Sequence, residues 1–292
     1  MRRAAPPRFA SRGAVLLAGL LLTACTALPA ASQVRGGGQV ALPGSGQVEI
    51  PVEDGALRAQ LAMPPGPIRG PAVVALHGCG GPFADRDKQW RDTLTAAGHI
   101  VLFPDSFGSR GLGSQCSTPN RTVTAGRIRR SDAIASATWL AAQPFTPPGG
   151  VVVLGWSDGG STVVATAEAG REGVRAGLIR GFVAFYPGCR YYSQRKDWRP
   201  SAPMLIVMGE ADDWTPAAPC HALAEGQELV TLVTYPGAYH DFDVPGRAVS
   251  IRRGLSTTAN GDGVAHTGTD PAAREDVLQR VPAFIAGLPP AK

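Results

Sequence analysis

The chain has 292 residues, 44% of them hydrophobic and 17% charged, which fits a globular protein and excludes an intrinsically disordered one. Its 37 Gly and 26 Pro follow no G-X-Y period, so it is not collagen-like. The formal charge of +5 is concentrated at the start: Arg2, Arg3, Arg8 and Arg12 precede every acidic residue, so without residues 1–24 the balance falls to +1. A near-neutral body has no broad basic field for phosphates, and nucleic acid is not an expected partner.

Residues 1–12 are basic and 13–24 are apolar, the pattern of a secretory signal. The apolar run is too short for a transmembrane helix. It ends in Leu22-Thr23-Ala24-Cys25, which resembles a bacterial lipobox. That resemblance implies a signal peptide over 1–24 and lipid on the thiol and amine of Cys25, a multi-chain anchor that holds stably. The expected location is the cell envelope, as an exported lipoprotein facing the periplasm. Thr26 is not acidic, which by the lipoprotein sorting rule points to the outer membrane. Residues 25–46 are small, polar and rich in Gly and Pro, so they read as a flexible tether. With no internal repeat and no second linker, residues 47–292 read as one domain.

That domain opens with two strand-like runs, 47–52 and 57–63, around the turn signal Glu53-Asp54-Gly55. A continuous apolar run at 71–76 ends in His77-Gly78-Cys79-Gly80-Gly81, a buried strand and a Gly-rich loop. A helix is expected over 86–97, a buried strand over 99–103, a long loop over 105–126 and a helix over 127–142. A third buried strand, 151–154, precedes a helix of small residues at 158–170. Further strands are expected at 181–185, 204–208 and 229–234, with a short helix at 217–225. Residues 245–270 read as polar and irregular, and 272–287 as a closing amphipathic helix. Strands alternating with helices predict an α/β fold, a mostly parallel sheet covered on both faces.

Gly155-Trp156-Ser157-Asp158-Gly159-Gly160 places G-x-S-x-G between a strand and a helix. The serine must sit on a strained turn, and only glycine leaves room for the neighbouring backbones. A hydroxyl needs a base to become a nucleophile. With partners in the order Ser, Asp/Glu, His, His77 and His99 drop out because they precede Ser157. Among His221, His240 and His266, the one on the loop leaving the last strand is His240. The acid should leave the preceding strand, where Glu210, Asp212 and Asp213 compete and pattern does not separate Asp212 from Asp213. The oxyanion hole needs two backbone N–H donors, expected from Asp158 and from Cys79 in the Gly-rich loop.

Apart from Cys25 there are four cysteines, Cys79, Cys116, Cys189 and Cys220. An even number in an exported chain predicts disulfides, with three pairings open. There is no CxxC and no His/Cys pair at zinc spacing, so no metal site is expected.

With these residues in place, the chain resembles the dienelactone hydrolase family of α/β-hydrolases, from about Gln47 to the C-terminus. The resemblance is carried by LHGCGG (76–81), PDSFGSRG (104–111), GWSDGG (155–160), FYPGC (185–189), GEADDWTP (209–216) and YPGAYHDFD (235–243). It implies the α/β-hydrolase fold and a reaction that needs no cofactor. The family's G-x-x-D-x-x-x-P pattern matches Gly209, Asp212 and Pro216 and so selects Asp212. Arg110 falls near a family arginine that contacts a substrate carboxylate. The best-known members use a Cys nucleophile, where this chain has Ser157. They also carry a Glu that helps activate the thiol, where this chain has Gly78, which argues against dienelactone itself as substrate. The strand order of the fold further implies the pairings Cys79–Cys116 and Cys189–Cys220.

The leading expectation is a serine hydrolase that cleaves a small ester or lactone through an acyl-enzyme. The competing readings are a catalytically silent envelope lipoprotein that binds in its pocket, and an acyltransferase or peptidase with the same three residues.

Overall fold

The computed structural model describes residues 44–291. The expected signal peptide, the lipidation site Cys25 and all but the end of the tether lie outside them. The described chain begins with a hairpin of β1 (Gly46–Val52) and β2 (Gly55–Ala62), then β3 (Val73–Leu76), α1 (Ala84–Ala96), β4 (Val101–Pro104) and α2 (Ile128–Ala141). It continues through β5 (Val151–Trp156), α3 (Asp158–Ala167), β6 (Ile179–Phe185), α4 (Arg190–Ser193), β7 (Met204–Gly209) and α5 (Ala218–Ala224). The last elements are β8 (Val230–Tyr235), β9 (Ser250–Arg252), β10 (Ala265–Thr267) and α6 (Pro271–Gly287).

Eight strands form one sheet in the order β1-β2-β4-β3-β5-β6-β7-β8. β2 is antiparallel to both its neighbours, and every pair from β4 to β8 is parallel. The reason lies in the side chains. β3, β5 and β7 are buried at every position, as strands covered on both faces must be. The first two strands are polar on alternate residues and take the edge. α2 packs on α3, and α1 on α6, as the two helical layers. This is the α/β-hydrolase fold. Among the described residues no helix is long and apolar enough to cross a membrane.

Two local readings change, and one short helix is added to them. The helix after Ser157 stops at Ala167 rather than 170, because Ser201 N–H donates to the Ala167 carbonyl and Ala169 N–H to that of Arg199. The chain there trades helical bonds for a bridge between Glu168 and Pro200. Residues 190–193 form one helical turn inside a stretch with no periodic pattern. Residues 245–270 are not wholly irregular: β9 and β10 pair antiparallel, Ser250 opposite Thr267 and Arg252 opposite Ala265. Three-residue strands give no period to read.

Both implied disulfides are formed, Cys79–Cys116 with Cα atoms 5.0 Å apart and Cys189–Cys220 at 5.1 Å. Each ties together two connections at the C-terminal end of the sheet. Replacing Cys189 and Cys220 by Ala should lower stability in urea by about 2–4 kcal/mol, since the closed loop no longer restricts the unfolded chain. An unchanged midpoint would contradict this.

Candidate active site

β5 ends at Trp156 and α3 begins at Asp158, so Ser157 alone turns the chain. It does so at φ 55° and ψ −114°, outside the ordinary regions for an L-residue. The turn is held by Ser157 N–H to the Phe185 carbonyl (2.9 Å) and Ser161 N–H to the Ser157 carbonyl (2.8 Å). The flanking glycines are sterically required. A Cβ on Gly159 would lie 2.1 Å from the Leu76 carbonyl oxygen, on Gly160 2.6 Å from that of Phe185, and on Gly155 2.5 Å from the backbone of Gly159.

His240 reaches Ser157 from the loop after β8, its Nε2 2.9 Å from the Ser157 Oγ. Its Nδ1 lies 2.7 Å from Asp212 Oδ2. Asp212 Oδ1 accepts the N–H groups of Trp214 and Thr215, both at 2.8 Å, so the carboxylate is fixed on both oxygens. The Thr215 hydroxyl, 3.0 Å from Asp212 Oδ2, 3.0 Å from the Tyr186 carbonyl and 3.1 Å from His240 Nδ1, completes this cluster. Burial disfavours charge on His240, but Asp212 outweighs it and holds the imidazole pKa above the ordinary value of about 6.5. The other two acids face elsewhere: Glu210 pairs with His221 at 2.8 Å and Asp213 with His266 at 2.7 Å.

The loop after β3 and the first residue of α3 lie beside Ser157. Among the described residues the backbone N–H groups of Cys79 and Asp158 donate to no other protein group. Arg129 joins the two segments. Its guanidinium donates to the Asp158 carboxylate (2.6 Å) and to the His77 carbonyl (2.5 Å), while Arg121 takes the other Asp158 oxygen at 2.8 Å. Burial raises the Asp158 pKa, but the two arginines outweigh it and hold it below the usual carboxylate value. His77 props the same loop. Its Nε2 accepts Ser106 N–H (3.1 Å), so Nδ1 carries the proton toward the Gly78 carbonyl at 2.7 Å. Burial and Arg129 push its pKa well down, and it stays neutral.

Behind His240 lies a fully buried carboxylate, Asp243. It accepts from Trp90 (2.7 Å), Trp156 (3.0 Å) and Tyr186 (2.6 Å). Burial holds its pKa above the usual value, the three donors satisfy its oxygens, and the base loop is thereby fastened to β5, β6 and α1.

Ser157 and His240 open on a cavity of about 290 Å3 whose wall includes Cys79, Cys116, Trp214 and three arginines, Arg86, Arg247 and Arg252. Arg86 is only 3% exposed, its Nε has no partner among the described residues, and its guanidinium lies 4.6 Å above the Trp156 ring. Against these three cations the wall has one carboxylate, Asp241, 3.9 Å from Arg247. Among the described residues no group of His, Cys, Asp and Glu could hold a metal ion.

The structure thus brings Ser157, Asp158, Cys79, Asp212 and His240 together. It does not bring Arg110, which takes no part in the cavity wall. Arg110 pairs with Asp54 (2.7 Å) and Asp132 (2.9 Å) and also donates to the Ser106 carbonyl (2.8 Å). Two carboxylates and a carbonyl occupy its fork, so it anchors the loop after β4 instead of meeting a substrate. Arg86, Arg129, Thr215, Trp214, Arg247 and Arg252 were not legible as site residues. Only Trp214 and Thr215 lie within a motif, GEADDWTP.

The chain matches the model of the dienelactone hydrolase family over residues 57–287. No curated protein matches it. Among solved structures, a dienelactone hydrolase from Anabaena variabilis superposes with a TM-score of 0.59 at 20% identity, covering 83% of this chain and 96% of that one. An esterase from Pyrobaculum calidifontis gives 0.57 at 18% identity, with 83% and 85% covered. Est1E from Butyrivibrio proteoclasticus gives 0.54 at 17% identity, with 83% and 96% covered. At such identities the likeness shows the fold.

Because Arg129 is the buried partner of Asp158, Arg129→Met should lower stability in urea on the order of 3 kcal/mol, by leaving the carboxylate to Arg121 alone. A loss below about 0.5 kcal/mol would show that Arg121 suffices.

Proposed function

The chain belongs to the dienelactone hydrolase family and is a hydrolase, and from that premise we propose that it cleaves a small carboxylic ester or lactone through an acyl-enzyme. In this reading Ser157 is the nucleophile, His240 the general base and Asp212 the acid that orients it. The observation that carries it is the unbroken relay from Ser157 Oγ to His240 Nε2 (2.9 Å) and from His240 Nδ1 to Asp212 (2.7 Å), in the wall of a small cavity.

His240 Nε2 takes the Ser157 proton as Oγ attacks the ester carbonyl. The N–H groups of Cys79 and Asp158 receive the oxyanion, where charge develops in the transition state. The protonated His240 then passes its proton to the leaving alkoxide, and the acyl group stays on Ser157. Water, deprotonated by His240, attacks the acyl-enzyme; the bond to Ser157 Oγ breaks, the acid is freed, and His240 returns the proton to Oγ. In a lactone the leaving alkoxide remains tethered to the acyl group, and one hydroxy acid is released. The cavity volume favours a small substrate, and its three guanidiniums favour one that carries a negative charge.

The pattern at residues 1–25 supports a second proposal, that this hydrolase works from a lipid anchor at Cys25 in the cell envelope. Cys25→Ser should move it from the membrane fraction to the soluble fraction; unchanged membrane retention would overturn the anchor.

Labelling with a fluorophosphonate tests the hydrolase reading. The parent should label and turn over phenyl acetate, and Ser157→Ala should do neither while keeping its fold. A folded parent that does not label, or a Ser157→Ala variant that still hydrolyses, would overturn it.

The neutral imidazole is the active base, and its pKa is raised, so kcat/KM should climb with pH along a limb centred above about 6.5. Asp212→Asn removes the carboxylate that raises it. The limb should move to lower pH, and the plateau should drop about 10^4-fold. A limb that stays in place would contradict the role given to Asp212.

A further inference from the structure

Residues 245–270 are tied to the site at three places that the hydrolytic relay itself does not need. Asp213, next to the orienting acid, turns away from His240. Its Oδ1 accepts the backbone N–H of His266 (2.8 Å), its Oδ2 lies 2.7 Å from His266 Nδ1, and its carbonyl accepts Ala259 N–H (2.9 Å). The His266 ring stacks on Tyr239 at 4.9 Å, and Gly268 N–H donates to the His240 carbonyl at 3.0 Å. On the far side, Ser256 donates its N–H (2.9 Å) and its hydroxyl (3.0 Å) to the Cys116 carbonyl.

The tied segment carries two cations of the cavity wall, Arg247, 3.9 Å from Asp241, and Arg252. Arg252, on β9, lies 5.1 Å above the Trp214 ring, which itself stands 4.6 Å from the His240 imidazole. Arg252 belongs to the cavity wall, while its neighbour Arg253 is exposed and outside it. A hairpin of two three-residue strands does not hold its own shape in water. A carboxylate that grips both the main chain and the ring of one residue fixes that residue in position and in rotation. A cation fixed in advance loses less freedom when an anion arrives.

We propose that Asp213 and His266 form a positioning pair that holds the β9–β10 hairpin over Ser157, and that Arg252, so held, selects esters bearing a negative charge. The inference rests on the hydrolase reading and names the substrate class of the same cavity.

Two matched ester pairs test it on the full-length protein. Phenyl acetate with 4-acetoxybenzoate places the charge on the leaving group; 4-nitrophenyl butyrate with 4-nitrophenyl hemisuccinate places it on the acyl group. The parent should favour the charged ester in at least one pair. Arg252→Gln should raise KM for that ester about tenfold or more relative to its neutral partner, while any change in kcat is shared by both esters. Asp213→Asn and His266→Ala should show the same charge-selective rise in KM. His266→Asn keeps a donor near the place of Nδ1 and should retain selectivity, and so should Arg253→Gln.

Equal effects of Asp213→Asn on both esters would reduce the pair to a structural tie and overturn the proposal, as would unchanged KM in Arg252→Gln. If Asp213→Asn fails to fold, the contrast between His266→Ala and His266→Asn decides. A parent that hydrolyses phenyl acetate yet distinguishes neither pair overturns this inference and leaves the hydrolase reading in place. A parent that neither labels nor turns over overturns both.

Discussion

The geometry of the site depends on one close contact, the first turn of α3 against the ends of β3 and β6. No side chain fits there. The missing Cβ of Gly159 would stand 2.1 Å from the Leu76 carbonyl, and that of Gly160 2.6 Å from the Phe185 carbonyl. With the helix pressed so near, the chain between β5 and α3 has a single residue in which to reverse, and Ser157 takes the positive φ. Among the described residues the Asp158 N–H beside Ser157 has no partner, while the Asp158 carboxylate turns to Arg121 and Arg129.

A second layer of buried polar groups fixes the parts that meet over the serine. Arg129 spans the two segments whose N–H groups flank Ser157, and His77, kept neutral by burial and by Arg129, supports one of them from below. Asp243 gathers two indoles and a phenol from three separate elements and holds the chain just past His240. A buried carboxylate is tolerated only when its lone pairs are filled, and three donors fill them here. None of these groups touches the cavity's reacting centre. Each removes a freedom that would otherwise have to be lost when substrate binds.

The strands and most helices were legible because burial on both faces writes an unbroken apolar run, as at 151–154, and because Gly155 and Gly159 mark a turn that nothing else permits. Ser157 and His240 were legible from order along the chain. Asp212 was separable from Asp213 only through the family pattern, since both are buried or half-buried and both hold a histidine. The cations were not legible. Arg110 stands in a promising loop but is filled by Asp54 and Asp132, whereas Arg86, at the start of the helix expected over 86–97, is buried in the cavity wall. Which arginine faces a cavity is decided by tertiary partners far away in sequence, and no local period reports them. The β9–β10 hairpin was hidden for the same reason: its order comes from Asp213, His240 and Cys116 and not from its own strands.

The strand order also bears on how the molecule comes together in time. β3 lies between β4 and β5, and Val73 pairs with Val152, so the centre of the sheet cannot close until much of the chain has been made. The elements that complete the site arrive later still, since Asp212 follows β7, His240 follows β8 and His266 lies in β10, shortly before α6. Contacts between such distant residues carry the largest loop-closure entropy and tend to form last. The site is therefore a late product of folding. A chain interrupted after β6 would hold the strained serine turn without base, acid or roof, and would present its half-built sheet edge, rather than an active centre, to its surroundings.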